Sequence, residues 1–219
     1  PFDRGRTALS KEPDMIGFLD SVLNEGDMLF DIGANVGVFS CYAASKRAKV
    51  IAFEPESSNF FILNKNIMLN DFSDYITAFP IAIHDKTELS ALYCKANIVP
   101  GKSGNSFSEP VNERHKVFYP GFRQGSVGFS LDELVYSFGL PIPQHLKIDV
   151  DGNEHLIIAS AKKLLKEVDV KTVAVEMTLN NDNEVMIQSL VDAGFTRKHG
   201  FRNPAYEKSG TVNVFFVKS

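Results

Sequence analysis

Cysteine is scarce: Cys41 and Cys94 are the only two in 219 residues. Neither has the spacing of a metal site or a redox pair, so both read as small buried hydrophobes, one in a helix and one at a strand end. A disulfide framework is excluded, and a reducing, cytoplasmic setting is the expectation. No apolar run approaches the ~20 residues that span a bilayer. The start, Pro-Phe-Asp-Arg-Gly-Arg, is polar and has no signal-peptide core. It also lacks an initiator Met, as a chain trimmed or cut from something longer would. There is no excess of positive charge, the net charge being −4, so neither nucleic acid nor an anionic membrane is an expected partner. His115, His145, His155 and His199 show no metal-ligand spacing. Internal repeats, low-complexity tracts and linkers are also missing, so residues 1–219 read as a single domain.

What is present is a regular alternation of strands and helices. Residues 10–24 have Ser10 to cap a helix, Pro13 for its first turn, and Ile16, Leu19, Val22 and Leu23 on one face; Gly26 ends it. Met28 to Phe30 begins a strand ending at Asp31. A glycine turn and a helix to about Ala48 follow. Residues 49–54 form a second buried strand, stopped by Pro55, and Ser57 or Ser58 caps the next helix. Tyr75 to Ile83 reads as a third strand, with Pro80 marking an edge or a break, and Leu89 to Tyr93 as a short extended piece. Residues 95–128 carry many Gly and Pro and no period, as a loop would. Ser130 and Glu133 form a capping box for a helix to about Phe138. Residues 145–150 are a fourth main strand, 153–166 a helix, and 170–176 a fifth strand. Asp182 or Asn183 caps a helix through Val191. Residues 195–201 and 212–217 are closing strands. This order implies an α/β, doubly wound, mostly parallel sheet with helices on both faces. Ligands of such sheets bind beyond the carboxyl ends of the strands, which draws attention to Asp31, Glu54, Ile83 with His84, Asp149 and Glu176.

The glycine turn, Asp-Ile-Gly-Ala-Asn-Val-Gly (31–37), is the most informative stretch. Gly33 and Gly37 let the backbone turn sharply and approach a ligand, and the new helix offers free N–H groups. Glu54 follows Asp31 at roughly the ~20-residue spacing of an acid that binds ribose hydroxyls. The pattern is G-x-x-x-G, however, and lacks the paired glycines that admit a pyrophosphate. An acid beside the turn opposes a pyrophosphate and favours a cationic sulfonium or amino group. The sign of that charge points to S-adenosylmethionine (SAM) rather than NAD.

Several motifs then line up in order: Phe-Asp-Ile-Gly-Ala-Asn-Val-Gly-Val-Phe-Ser (30–40), Ile-Ala-Phe-Glu-Pro (51–55), Ser-Leu-Asp-Glu-Leu (130–134), Leu-Lys-Ile-Asp-Val-Asp-Gly-Asn-Glu (146–154) and Val-Ala-Val-Glu (173–176). Together they resemble the FkbM-type family of SAM-dependent methyltransferases over nearly all of residues 14–217. The resemblance implies a seven-stranded sheet with its last strand antiparallel, and O-methyl transfer to a hydroxyl of a sugar, polysaccharide or polyketide-like product. It implies that Asp31, Gly33, Ala34, Asn35 and Gly37 hold the methionine part of SAM. Glu54, with Pro55 shaping its turn, would hold the ribose. Ala82 and Ile83 would lie near adenine, and Asp149 would face the methyl-transfer centre.

A sugar hydroxyl is a poor nucleophile, so a base that takes its proton should help. Asp149 is the first candidate, Glu176 the second and His84 the third, although a surface histidine after a strand is the plainer reading of His84. Lys147 shares a face with Asp149. It either pairs with Asp149 or Glu176 or orients the acceptor. Glu154 opens a helix, where the dipole favours a carboxylate, and is a secondary candidate because the family motif includes it. Asp149, Asp151 and Glu176 would suit magnesium or calcium, but the resemblance requires no metal and none is favoured. The basic excess of residues 95–128 suggests acceptor recognition there, with Arg114 and Arg123 able to clamp a carboxylate. Two rival functions are an NAD-type oxidoreductase and a non-catalytic module that keeps the SAM fold only to bind a partner.

Overall fold

A computed structural model of the chain describes residues 11–95, 100–102, 104–112, 116–178, 183–201 and 211–218. The helices are α1 (Pro13–Val22), α2 (Val38–Ser45), α3 (Ser57–Leu69), α4 (Leu131–Tyr136), α5 (Glu154–Ser160) and α6 (Asn183–Asp192). The strands are β1 (Met28–Ile32), β2 (Lys49–Phe53), β3 (Ile76–Phe79), β4 (Ala82–Ile83), β5 (Glu88–Cys94), β6 (Ser106–Phe107), β7 (Phe122–Phe129), β8 (His145–Ile148), β9 (Thr172–Thr178), β10 (Phe195–Lys198) and β11 (Thr211–Lys218).

Seven strands form the main sheet in the order β10-β11-β9-β8-β1-β2-β3. The last strand, β11, is antiparallel to both neighbours and the other pairs are parallel. The chain runs outward from β1 to β3, then returns to β8 on the other side of β1. That reversal of strand order lies between β1 and β8, where a crevice opens beyond the strand ends. Both faces of the sheet are covered, as continuous apolar strands require. Phe30, Ile32, Phe53, Leu146, Ile148 and Val175 point into one core with α4, α5 and α6. Leu29, Val50 and Ala52 meet α2 and α3 on the opposite face. There α1 also packs, with Phe18 stacked on Phe215 at 4.4 Å between ring centres.

Several elements depart from the sequence expectation. The strand expected over 75–83 breaks at Pro80: β3 is the edge of the main sheet, and β4 joins a second sheet of order β4-β7-β5-β6. The loop expected over 95–128 contains β6 and most of β7, and β7 pairs antiparallel with the whole of β5. Residues 122–129 escape recognition because their inner face is Gln124, Ser126 and Gly128, which is not an apolar alternation. Gly128 is small for a reason: a Cβ there would come within 2.9 Å of the Phe107 ring. Helix α3 is capped by Glu56, which accepts from the N–H groups of Ser58 and Asn59, rather than by Ser57 or Ser58. Helix α5 ends at Ser160, and a short 3-10 turn at Leu164–Lys166 replaces the rest of the helix expected to 166. Ser130 does cap α4 through the Glu133 N–H. The candidate caps Ser10 and Asp182 lie outside the described residues. Cys41 and Cys94 are free thiols, each pushed up to about 11, chiefly by burial.

Candidate active site

The glycine turn is built by backbone bonds that leave little freedom. The N–H groups of Gly33 and Ala34 both donate to the Phe53 carbonyl at 3.0 Å, tying β1 to β2. Gly33, Asn35 and Gly37 all have positive φ, at 74°, 52° and 85°. Asn35 tolerates it because its side-chain oxygen accepts from the Val36 N–H at 2.9 Å. A Cβ on Gly37 would run into Leu63, so the glycine also sets how closely α3 approaches.

Glu54 stands over this turn. One carboxylate oxygen accepts from the Asn35 N–H at 2.7 Å and the other from the Glu56 N–H at 2.9 Å. Burial pushes its carboxyl up to about 7, against the pull of those two backbone bonds. A carboxylate has about four acceptor positions, so Glu54 can hold the turn and still accept from a ligand.

A cleft opens here, lined by both apolar and charged residues. Its lining combines the apolar Phe53, Ile81, Ala82, Ile83, Leu92 and Phe107 with the acids Glu12, Glu54, Asp149, Asp151 and Glu176 and the lysines Lys11 and Lys102. Gly33, Asn35 and Pro55 also line it. Of the residues singled out in the sequence, the structure thus brings together Gly33, Asn35, Glu54, Pro55, Ala82, Ile83, Asp149 and Glu176. Among the acids, Glu176 is raised well above the ordinary carboxylate value, first by burial and then by the charges of Asp149, Asp151 and Glu12. The Glu176 and Asp149 side chains lie within hydrogen-bonding reach of one another, and 26% of the Asp149 side chain is exposed.

Other candidates lie outside this lining. Asp31 is fully buried: Ser40 donates to it at 2.5 Å and the Lys147 ammonium stands 3.0 Å away. Ala34 is buried beside Leu63 and Ala43 in the core under α2 and α3. Lys147 is 2% exposed and also reaches Asp149 at 3.5 Å and the Gly33 carbonyl at 3.1 Å. Burial works against its charge, but Asp31 and Asp149 outweigh that and hold its pKa above the ordinary lysine value. The sequence pointed to Asp149 or Glu176 as its ion-pair partner; the nearer carboxylate is instead Asp31 across the sheet, with Asp149 second. His84 is buried rather than on the surface, lies edge-on to the Phe107 ring, and has Asp85 at 2.8 Å from its Nδ1. Arg123 is exposed on β7 and lies over the Tyr93 ring. Arg114 lies outside the described residues. Glu154 is buried, and one of its oxygens accepts from the N–H groups of Val150 and Gly152, shaping the turn after β8. Among the described residues, no group of three His, Cys, Asp or Glu side chains is arranged to hold a metal ion. No helix among them is long and apolar enough to cross a membrane.

Sequence reasoning missed Asn59, and it placed residues 100–105 only within the 95–128 loop assigned to acceptor recognition. Asn59 accepts from the Gly101 N–H at 2.8 Å, and the Lys102 carbonyl accepts from the side chains of Asn35 and Asn59. The Gly104 N–H donates to Asp151 at 2.6 Å. These bonds span the cleft from the β2 side to the β8 side. Asn59 did carry a signal: it lies on the i, i+4, i+8 face of Leu63 and Ile67, where a buried polar residue needs a partner.

This sheet order, with a cleft at its reversal point, is the fold of class I Rossmann-like methyltransferases. The sequence model of the methyltransferase FkbM domain matches residues 31–202, and the chain belongs to that family. It is 31% identical over 165 residues to the hexuronic acid methyltransferase AglP of Haloferax volcanii, a match covering 74% of this chain and 61% of that protein. It is 26% identical over 195 residues to the methyltransferase sdnD of Sordaria araneosa, covering 79% and 75% of the two chains. The crystal structure of an FkbM methyltransferase from Methylobacillus flagellatus shares the fold at a TM-score of 0.57 and 12% identity, over 90% of this chain and 44% of that one.

Proposed function

We propose that residues 1–219 form one SAM-dependent methyltransferase domain that methylates a hydroxyl of a sugar, polysaccharide or polyketide-like acceptor. The observation that carries this reading is the cleft at the β1–β8 reversal, whose lining is rich in both apolar and acidic residues. The apolar lining of Phe53, Ala82, Ile83 and Phe107 fits a flat base, and Glu54 is presented at the tip of β2 for ribose hydroxyls. The acidic lining around Asp149 and Asp151, next to the Glu176 carboxyl, suits a cation. Such a donor fits these residues better than a dinucleotide, whose pyrophosphate the carboxylates would repel.

When bound, SAM would supply a methyl group activated on a sulfonium centre. The protein's share is alignment and proton control. Gly33 and Asn35 would hold the donor's amino-acid end against the turn, while Asp149 faces the acceptor side. Asp149 would accept the hydroxyl proton as the oxygen attacks, oriented by Lys147 on one side and the Glu176 carboxyl on the other. Excluding water from the cleft would be the work of the residues 100–102 and 104–105 that cross it.

Methyl-labelled SAM and a panel of neutral and uronic-acid-containing glycans test the proposal. Label in an alkali-stable methyl ether supports it. A hexuronic acid offers a carboxylate as well as hydroxyls, so label released by mild alkali would show ester formation and overturn the hydroxyl assignment. Binding of NAD without binding of SAM would overturn the donor.

A further inference from the structure

Glu12 precedes the matched family region, which begins at Asp31, yet it faces the same cleft as Asp149 and Glu176. It occupies the N-cap position of α1 without using its side chain to cap that helix. The side chain is 10% exposed. Two sets of contacts fix it there. Met15, Phe18 and Leu19 of α1 are locked into the core with Phe39, Ala174 and Phe215. Asp14 accepts from the Asn213 side chain at 3.0 Å, and Asn213 is the cross-strand partner of Glu176. Partners opposite one another share a face of the sheet. The start of α1 is therefore tied down on the face that carries Glu176.

The charged groups on this face form a sequence across three strands. Asp31 on β1 pairs with Lys147 on β8, Lys147 reaches Asp149, and Asp149 meets Glu176 on β9. Glu12 comes last, with Lys11 at 3.7 Å from it. The groups acting on Glu176 are Asp149 and Asp151 from the turn after β8, and Glu12 from the start of α1. Lys147 and Asp31 stand on the far side of Asp149, and Asp14 lies beside Asn213. A third carboxylate next to a carboxyl pair favours retention of the proton the pair shares.

We propose that Glu12 is a positioning residue for the Asp149–Glu176 pair, supplied by a segment ahead of the matched family region. Its charge keeps the proton on Glu176, and that proton orients the Asp149 carboxylate toward the acceptor hydroxyl. Loss of the Glu176 proton ends the bond to Asp149 and sets a second anion beside it. The role in turnover rests on the function proposed above; the electrostatic link itself does not.

Carbon-13 NMR of carboxyl-labelled glutamates, titrated in the wild-type, Glu12→Gln and Glu12→Asp proteins, tests that link without any methyl transfer. The Glu176→Gln variant identifies the Glu176 resonance. Glu12→Gln is expected to lower the Glu176 midpoint by about one pH unit, the scale of one charge at close range near a protein surface. Glu12→Asp keeps the charge and is expected to stay close to wild type. The high-pH limb of kcat should move with the midpoint. An unchanged Glu176 midpoint in Glu12→Gln overturns the proposal. If no acceptor is methylated, the proposed function fails while the midpoint still decides the role of Glu12.

Discussion

Gly33 and Asp149 are packed backbone to backbone: a Cβ on Gly33 would collide with the Asp149 carbonyl oxygen and come within 2.8 Å of its carbonyl carbon. The glycine turn after β1 and the acid after β8 are thus one structural unit. The positive φ of 74° adds a second demand for glycine. Gly33→Ala should cost about 3 kcal/mol or more, from the left-handed conformation and the forced backbone shift together. For a chain of this size that lowers Tm by roughly 6–12 °C. Calorimetry showing a shift of only a degree or two would mean that the two backbones separate easily.

Lys147 and Asp31 are directly opposed on neighbouring strands, both almost wholly buried. Removing one member of a buried pair strands the other charge. Lys147→Met alone should therefore destabilise by about 3–5 kcal/mol in urea unfolding, and the added change Asp31→Asn should recover much of that loss. A double variant no more stable than the single one would show that Lys147 acts mainly through Asp149 or the Gly33 carbonyl.

Glu54 is expected to have separable effects on donor binding and on folding. Glu54→Ala leaves the N–H groups of Asn35 and Glu56 without their acceptor, at about 1–3 kcal/mol each. It also deletes the proposed ribose contact, so affinity for S-adenosylhomocysteine should fall roughly 10- to 100-fold, the scale of a charge-assisted hydrogen bond. Glu54→Gln offers only one oxygen and should be intermediate in both respects. Titration calorimetry with unchanged affinity in Glu54→Ala would remove Glu54 from the donor site.

How far this site was legible follows from the kind of signal each part emits. The turn at 33–37 and Glu54 were readable because glycine spacing and a strand-end acid are local patterns. Asp31 was readable as an important acid, but its burial against Lys147 depends on which strand lies beside β1, and no local pattern carries strand order. Strand β7 was missed because its inner residues pack against Phe107 and the β2–α3 turn, so they are small or polar. Glu12 lies four positions before the apolar Ile16 and looks like an ordinary helix-start residue. Its place in the cleft comes from the docking of α1 on β11, a contact nearly 200 residues apart in sequence.

Glu154 makes stability depend on pH in a direction opposite to that of an exposed, salt-bridged acid. Burial raises its carboxyl from 4.5 to about 7, although Val150 and Gly152 donate to it. Below pH 4.5 the group is protonated in both the folded and unfolded chains. Between 4.5 and about 7 only the folded chain keeps the proton, so unfolding releases one. Stability from this residue is therefore fully present at low pH and is lost as pH rises through that window, by about 3 kcal/mol at most. Both backbone donors bind a single oxygen of Glu154, so Gln can replace it without losing either bond. The stability of Glu154→Gln relative to wild type should accordingly climb from pH 4.5 to 7 and level off above it. Chemical unfolding at a series of pH values checks this; a difference that stays flat across the window would show that water or the neighbouring turn relaxes to solvate the carboxylate.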